Sequence, residues 1–349
     1  MIAVLPNFSF VPKPAKSILL QKVVIDAGHG GKDPGKPAIK LGGESEKDIA
    51  LDVALLLGKY IESNFDDVDV IYTREKDVFV ELHHRSKIAN DNNANLFISI
   101  HCNAADNKSA CGSETWIMGM HKTDYNLNVA QKENASILLE EDYSENYDNF
   151  NPNSPESYIA LSLTQDAYND QSEIFAQLVQ EEFASLRRKD RGVKQAGFVV
   201  LSRTFMPRVL VELGFITNSE EEQYLTSDEG KKELANAVFN AFTKYKQSYD
   251  KKNSIQKKDK IKCDGVNYKI QLKASNSPIA LSEFDGINNL YEFKSADMYK
   301  YAFGCYKTLK EAEEEKEKLK VKGFIDVFII AFNNDTKISI KQATLLLKN

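Results

Sequence analysis

The chain has 349 residues, 42% of them hydrophobic and 28% charged, with 45 Lys and Arg against 51 Asp and Glu for a formal net charge of −6. That is a globular composition with material for two domains, and it excludes fibrous, collagen-like and disordered classes. The acidic balance and the lack of a dense basic block exclude a protein held to nucleic acid by counterion release, and no apolar run approaches the ~18 residues of a transmembrane helix.

Residues 1–20 carry Phe8, Phe10 and three prolines but no cationic start, so they read as an extended lead-in without a legible export signal. Val23-Val-Ile-Asp26 then reads as a buried strand running into the glycine-rich loop Ala27-Gly-His-Gly-Gly31. Helical spacing over 48–63, a strand at 68–72, a helix at 80–90 and a strand at 95–100 continue a β-α-β alternation, which predicts a largely parallel sheet. From 119 to 155 the pattern breaks into an insertion, helical over 132–142 and then rich in Asn and Ser. A long helix over 157–188 follows, with Ile159, Leu163, Ala167, Ile174, Leu178 and Phe183 as its buried stripe. Strands at 198–201 and 208–212 and a helix at 227–245 close a first domain over 21–246. The lysine-rich stretch 247–262 reads as a linker. Residues 263–349 form a second unit, with strands at 266–272, 298–303 and 324–332 and a helix at 308–322, in a βαββαβ-like order. The four cysteines form no C-x-x-C pair and read as free thiols, Cys102 and Cys111 being the pair close enough in sequence to bridge.

His29 and His101 each follow a buried strand, at the edge where parallel sheets gather their functional ends. With Glu44 or Glu46 they make a two-imidazole, one-carboxylate set that leaves a coordination position open, which is the arrangement of catalytic zinc. Either histidine alone reads as a turn or strand-end residue. Glu212 sits at the end of the buried strand Val209-Leu-Val211, where a charge is costly unless paired or working. Beside a metal it can serve as a general base; otherwise it would pair with Arg203 or Arg208. Arg74 and Arg85 read as ion-pair residues that stabilise the fold. Cys102 alternates with His101 and therefore faces away from the site.

Six ordered motifs carry a resemblance: Val24-Ile-Asp-Ala-Gly-His-Gly-Gly-Lys-Asp-Pro-Gly35, Glu46-Lys-Asp48, Thr73-Arg74, Ser99-Ile-His-Cys-Asn-Ala104, Gly112-Ser-Glu-Thr115 and Val209-Leu-Val-Glu-Leu-Gly-Phe-Ile-Thr-Asn218. Together they resemble the zinc-dependent N-acetylmuramoyl-L-alanine amidases used in bacterial cell separation, over residues 21–246. The resemblance implies an α/β, Rossmann-like amidase fold. It also implies hydrolysis of the amide between the lactyl group of N-acetylmuramic acid and the L-alanine of the peptidoglycan stem peptide. By position it gives Zn2+ held by His29, Glu46 and His101, with Glu212 as catalytic base; Asn103 is a candidate substrate contact. Some members of the family carry a helix that blocks the zinc until a protein activator displaces it, so the 119–155 insertion is a candidate regulatory segment with Glu133, Glu140 or Glu141 facing the metal. The last unit resembles a SPOR domain through Tyr268-Lys-Ile-Gln-Leu-Lys273 and Phe303-Gly-Cys-Tyr306, which implies binding of denuded glycan strands. A periplasmic or cell-envelope location follows from the same resemblances. The competing readings are a catalytically silent wall-binding protein and a zinc carboxypeptidase or deacetylase acting on another amide.

Overall fold

The computed structural model describes residues 19–347 except 40–41, 163–167, 259–262, most of 276–289, 296–297, 322–323, 325 and 335. Nearly all of the expected lead-in, and Leu163 and Ala167 of the expected helical stripe, lie outside the described residues. The chain divides into two units, Met1–Ser248 and Tyr249–Asn349.

The first unit is a mixed α/β domain. Its strands are β1 (Lys22–Ala27), β2 (Asp69–Tyr72), β3 (Leu96–Asn103), β4 (Ser113–Met118), β5 (Asp190–Ala196) and β6 (Arg208–Phe215). They form one sheet in the order β2-β1-β3-β6-β4-β5. Every neighbouring pair is parallel except β4 with β6. β3 and β6 are buried along their whole length, which is why they read as continuous apolar runs instead of alternating ones. Helix α1 (Glu46–Asn64) begins at a capping box in which Ser45 and Asp48 exchange hydrogen bonds, and this fixes where its first residue, Glu46, stands. Helix α2 (Leu82–Asp91) brings Arg85 onto the sheet.

The region 119–155 is not a solvated addition. It forms α3 (Asp124–Asn134), a 3₁₀ turn (Ala135–Leu139) and the short α4 (Tyr143–Asn146). Val129, Ala130, Ile137 and Tyr147 join the core cluster that contains Trp116, Phe198 and Leu210. The helix expected at 132–142 thus lies about two turns earlier in the chain, where Asn126 and Asn134 occupy buried positions that an apolar template does not register. The single helix expected at 157–188 is two, α5 (Pro155–Ser162) and α6 (Asn169–Ser185). Their buried face holds Tyr158, Phe175, Val179 and Phe183, and leaves Ile159 and Ile174 exposed. The apolar run Phe198–Leu201 is not a strand: Val199–Ser202 form a helical turn (α7) whose first N–H is capped by Asn134 Oδ1 at 2.8 Å. The edge strand is β5, just before it. Helix α8 (Ser219–Leu225) precedes α9 (Asp228–Lys258), which runs through most of the stretch expected to be a linker.

In the second unit β7 (Val266–Ser275), β8 (Leu290–Ser295), β9 (Met298–Tyr306), β10 (Phe328–Asn333) and β11 (Thr336–Ile338) form an antiparallel sheet ordered β11-β10-β7-β9-β8. Helix α10 (Leu309–Val321) lies between β9 and β10 in sequence, and α11 (Ile340–Leu346) ends the chain. The first helix of the expected order would fall within 276–289, largely outside the described residues. Cys263 and Cys305 are not free thiols; they form a disulfide, because β7 and β9 are neighbours and bring the two Cα atoms to 6.0 Å. Cys102 and Cys111 remain free.

One polar group holds the first unit's active edge together. Asp26, 1% exposed on β1, accepts from Thr73 Oγ1 (2.6 Å), Ser99 Oγ (2.6 Å) and Arg85 Nη1 (2.8 Å). Burial pushes its pKa up, but the guanidinium and the two hydroxyls outweigh that and leave it below the ordinary value. Asp26→Ala is expected to cost about 3–5 kcal/mol, since it strands a buried guanidinium. Because the carboxyl titrates lower folded than unfolded, the wild-type advantage over the variant holds at neutral pH and fades as the pH falls below about 4. Urea unfolding of both chains at several pH values checks the size and the direction.

Candidate active site

The loop after β1 is tied down carbonyl by carbonyl. Arg85 donates to the Ala27 and His29 oxygens, both at 2.7 Å, and Arg74 donates to those of Ala27, Gly28 and Lys47 at 3.0, 2.8 and 2.7 Å. Arg85 is thus an ion-pair residue, as expected, whereas the hydrogen bonds of Arg74 all go to backbone oxygens. This clamp holds His29 at φ +58, a left-handed conformation that side-chain-bearing residues rarely adopt. Gly28 is required by its neighbour: a Cβ there would stand 2.4 Å from the His101 ring.

His29, Glu46, His101 and Glu133 converge so that one ligand atom from each lies within 4.8 Å of all the others. Glu46 Oε1 is 3.1 Å from His29 Nε2 and 3.2 Å from His101 Nδ1, and Glu133 Oε2 is 3.3 and 2.9 Å from the same two nitrogens. Ligands ~2.0 Å from a tetrahedral ion stand about 3.3 Å apart, so these separations and this N₂O₂ donor set fit zinc. His29 Nδ1 pairs with Asp33 Oδ2 at 2.8 Å, an outer partner of the kind that orients a metal-binding imidazole and turns Nε2 inward. Glu46 is fixed in turn by the N–H groups of Cys102 (3.0 Å) and Lys36 (2.8 Å). Glu44 does not reach the cluster; it pairs with Lys231 at 2.6 Å.

The electrostatics follow from the crowding. Burial works against charge on His101, yet the Glu133 and Glu46 carboxylates prevail and raise it to about 9. His29 rises well above the usual range for the same reason, with Asp33 adding to the effect.

Glu212 on β6 stands directly across from His101 on β3. It is 0% exposed, and neither carboxylate oxygen has a hydrogen-bond partner among the described residues. Neither Arg203 nor Arg208 pairs with it: Arg203 reaches Asp148 and the Asn146 carbonyl, and Arg208 donates to the Thr204 carbonyl. Burial raises the Glu212 pKa well above the ordinary value, and Glu133, Glu46 and Glu114 raise it further. Asn103 is buried, donating to Glu114 (3.0 Å) and to Tyr125 OH (3.3 Å). Cys102 is buried on the face opposite His101, and its thiol is pushed up by burial.

Of the three insertion carboxylates only Glu133 reaches the cluster. Glu140 turns instead to Leu82 N (2.8 Å) and Tyr147 OH (2.6 Å), and Glu141 is exposed. The elements that carry them distinguish the three: Glu133 is on α3, whereas Glu140 and Glu141 follow the 3₁₀ turn. Asn126, Val129, Ala130 and Asn134 are the buried stripe of α3, and Glu133 lies within it. Glu114 was not singled out from the sequence. The signal was a glutamate inside the β-forming run Ser113-Glu-Thr-Trp-Ile-Met118, which was not read as a strand.

Known proteins resemble this chain over its first unit. A family model described as N-acetylmuramoyl-L-alanine amidase matches residues 23–244. N-acetylmuramoyl-L-alanine amidase AmiA of Escherichia coli K12 is 28% identical over 250 residues, covering 71% of this chain and 83% of the relative. AmiC of Neisseria meningitidis is 31% identical over 229 residues, covering 64% of this chain and 52% of the relative. The crystal structure of the N-acetylmuramoyl-L-alanine amidase from Clostridium difficile 630 is 28% identical, with a TM-score of 0.49, covering 66% of this chain and 99% of that one.

Zinc added to metal-free protein is expected to raise its melting temperature, by the equivalent of about 4 kcal/mol at a free concentration 1,000-fold above Kd, and His101→Ala to lose most of that gain. Since the carboxylates keep the free His101 imidazole charged up to about 9, binding must expel protons, and apparent affinity should rise as the pH approaches that value. Titration calorimetry in buffers of different ionisation enthalpy counts the protons released.

Proposed function

The chain belongs to the N-acetylmuramoyl-L-alanine amidase family and hydrolyses peptidoglycan; from that premise we propose that it cuts the lactyl–L-alanine amide by a zinc-dependent route with Glu212 as the base. His29, Glu46 and His101 would hold the ion. Zinc in that place supplies Lewis-acid polarisation of the scissile carbonyl and lowers the pKa of water toward ~7. Glu212 takes the proton of the attacking water and passes it to the departing alanine nitrogen. The observation that carries this reading is the pairing of Glu212 with His101 across adjacent strands, with both carboxylate oxygens unengaged among the described residues. A buried carboxylate without partners is costly in a merely structural role, whereas a base needs free lone pairs facing the reacting atoms.

Glu133 completes the donor set from α3, and with that helix in place the substrate carbonyl has no approach to the metal position. The chain as it stands is therefore the autoinhibited form, and activity requires α3 to move under the influence of a protein activator. The second unit is a SPOR-like module that binds denuded glycan strands and holds the enzyme at division sites for daughter-cell separation. The order of its described elements supports this reading. Its Tyr268 and Tyr301 are core residues, while Lys269 lies over the rings of Tyr291 and Phe332 on the other face of the sheet. The Cys263–Cys305 disulfide suits an oxidising compartment and so supports a periplasmic or envelope location.

Zinc-loaded full-length chain on intact sacculi tests the catalytic part, with mass spectrometry of the new ends. Free L-alanine amino termini and intact lactyl groups are expected, with Glu212→Ala slower by about 10²–10⁴-fold. Equal rates for wild type and Glu212→Ala would remove the assigned base. Glu133→Ala should raise basal turnover at least about tenfold, a barrier change of ~1.4 kcal/mol. A rate no higher than wild type would sink the autoinhibition. The point variant is preferred to deletion of α3, because deletion also removes Val129 and Ala130 from the core.

A further inference from the structure

Beyond the metal cluster, the same sheet face carries a second charged group for which the amidase reading has no use. Glu114 on β4 lies across from Glu212 on β6 and is fully buried. Its Oε1 accepts from Arg191 Nε at 2.5 Å, Lys194 Nζ at 2.7 Å and Tyr125 OH at 2.7 Å, and its Oε2 accepts from Asn103 Nδ2 at 3.0 Å. Two cations meet one carboxylate, so the group keeps an excess positive charge.

The backbone is arranged to put both cations there. Arg191 and Lys194 are three residues apart on β5, and in a regular strand they would face opposite sides. Between the register pairs Ser113–Asp190 and Thr115–Val193, β5 holds one more residue than β4, and Gly192 in that stretch has φ +81. This bulge turns both side chains onto the face that carries His101 and Glu212. Arg191 uses its inner nitrogen on Glu114, which directs the outer fork of the guanidinium, the shape that matches a carboxylate, elsewhere. Aromatic rings hold the pair in place: the Arg191 guanidinium carbon is 4.9 Å from the Phe215 ring centre, and Lys194 Nζ is 4.6 Å from that of Tyr125.

The distance suits the substrate. β5 lies two strands from β6, so at ~4.8 Å per strand the backbones of Arg191 and Lys194 stand about 10 Å from that of Glu212, and their charged ends reach back to Glu114, one strand from Glu212. A peptide covers ~3.3–3.6 Å per residue, so a group one or two residues beyond the scissile amide reaches them. In a stem peptide the residue after the alanine is a glutamate linked through its side chain, and its α-carboxylate is free.

We propose that Arg191 and Lys194 form a carboxylate subsite of the amidase, binding the free α-carboxylate of the stem-peptide residue that follows L-alanine, and that α3 covers this subsite through Tyr125. The proposal deepens the amidase reading and rests on it. In the covered state Tyr125 stacks under Lys194 and bonds Glu114; movement of α3 uncovers the cations together with the metal position.

The test uses the zinc-loaded chain carrying Glu133→Ala together with Tyr125→Ala, which removes the side chain that covers the cations while α3 stays packed, and two synthetic peptides, L-alanyl-γ-D-glutamyl-L-lysine and the same peptide with the glutamyl α-carboxylate converted to a carboxamide. Calorimetry should show the acid binding at least about tenfold more tightly than the amide, as expected for a charge-assisted pair. Adding Arg191→Gln or Lys194→Gln should bring the two affinities within about threefold, and Arg191→Lys should keep part of the preference. A role limited to neutralising Glu114 would leave the acid-to-amide ratio unmoved. If a Gln variant does not fold, the ratio in the parent chain and in Arg191→Lys still decides. Equal affinity for the two peptides, no binding of either, or a preference unchanged in both Gln variants would overturn the subsite. The same chains on sacculi separate the two claims: cleavage without acid preference leaves the amidase and removes the subsite, whereas acid preference without cleavage does the reverse.

Discussion

The site depends on the buried Asp26–Arg85 pair. A lone buried charge costs several kcal/mol, so Asp26 is tolerable on β1 only because Arg85 and two hydroxyls surround it. Held there, Arg85 donates to the Ala27 and His29 carbonyls, and Arg74 donates to those of Ala27 and Gly28. A left-handed non-glycine residue such as His29 costs on the order of 1–3 kcal/mol, and hydrogen bonds from charged donors return about 1.5–3 kcal/mol each. The strain is therefore outweighed locally, and His29 Nε2 stays aimed at its partners without help from an ion.

Around that fixed nitrogen, the three glutamates take different duties from different surroundings. Glu46 opens α1, where the positive end of the helix favours a carboxylate, and two backbone N–H groups engage its oxygens. Burial raises its pKa, but the His29 and His101 imidazoles outweigh that and hold it low, while the N–H groups keep it rigid. Glu212 is buried, with no donor among the described residues and three acidic neighbours, so it holds a proton readily and would give it up beside a cation. Glu133 comes from another element altogether, and its place depends on α3. One sheet edge thus sets the same side chain in three different electrostatic states, by varying only what surrounds it.

Much of this was legible in the residues. The strand-then-loop runs that end in His29 and His101 mark the sheet edge directly, because parallel strands buried on both faces leave an uninterrupted apolar signal. Glu46 was separable from Glu44 only through the motif around it; spacing alone cannot show that Lys231 claims the earlier glutamate. The phase of α3 was missed because its buried stripe includes two asparagines, whose amides bond the Gln195 and Gly197 carbonyls and the Val199 N–H. Polar residues that satisfy backbone groups inside a core look like surface to a hydrophobicity pattern. Phe198–Leu201 failed in the opposite sense, a β-branched run that packs equally well as one buried helical turn. The Cys263–Cys305 pair joins strands that become neighbours only once the sheet order is known.

The position of α3 also constrains how a blocked site could open. This helix is no loose flap: Val129 and Ala130 are core residues, Asn126 and Asn134 bond the strand and turn beneath them, and Lys132 reaches the Ala104 carbonyl. Removing the Glu133 carboxylate takes away the contact with the imidazoles but leaves that packing, so a point change relieves only part of the block. Moving the helix outright exposes apolar surface and leaves backbone groups unpaired. To shift such an equilibrium from about 1:99 to 99:1, a partner must prefer the open form by roughly 5.5 kcal/mol. An activator that acts on this chain must therefore give α3 new apolar contacts, not merely compete for Glu133. Because Tyr125 and Glu133 lie on the same helix, a displacement of α3 would free the His29–Glu46–His101 cluster and the Arg191–Lys194 pair together.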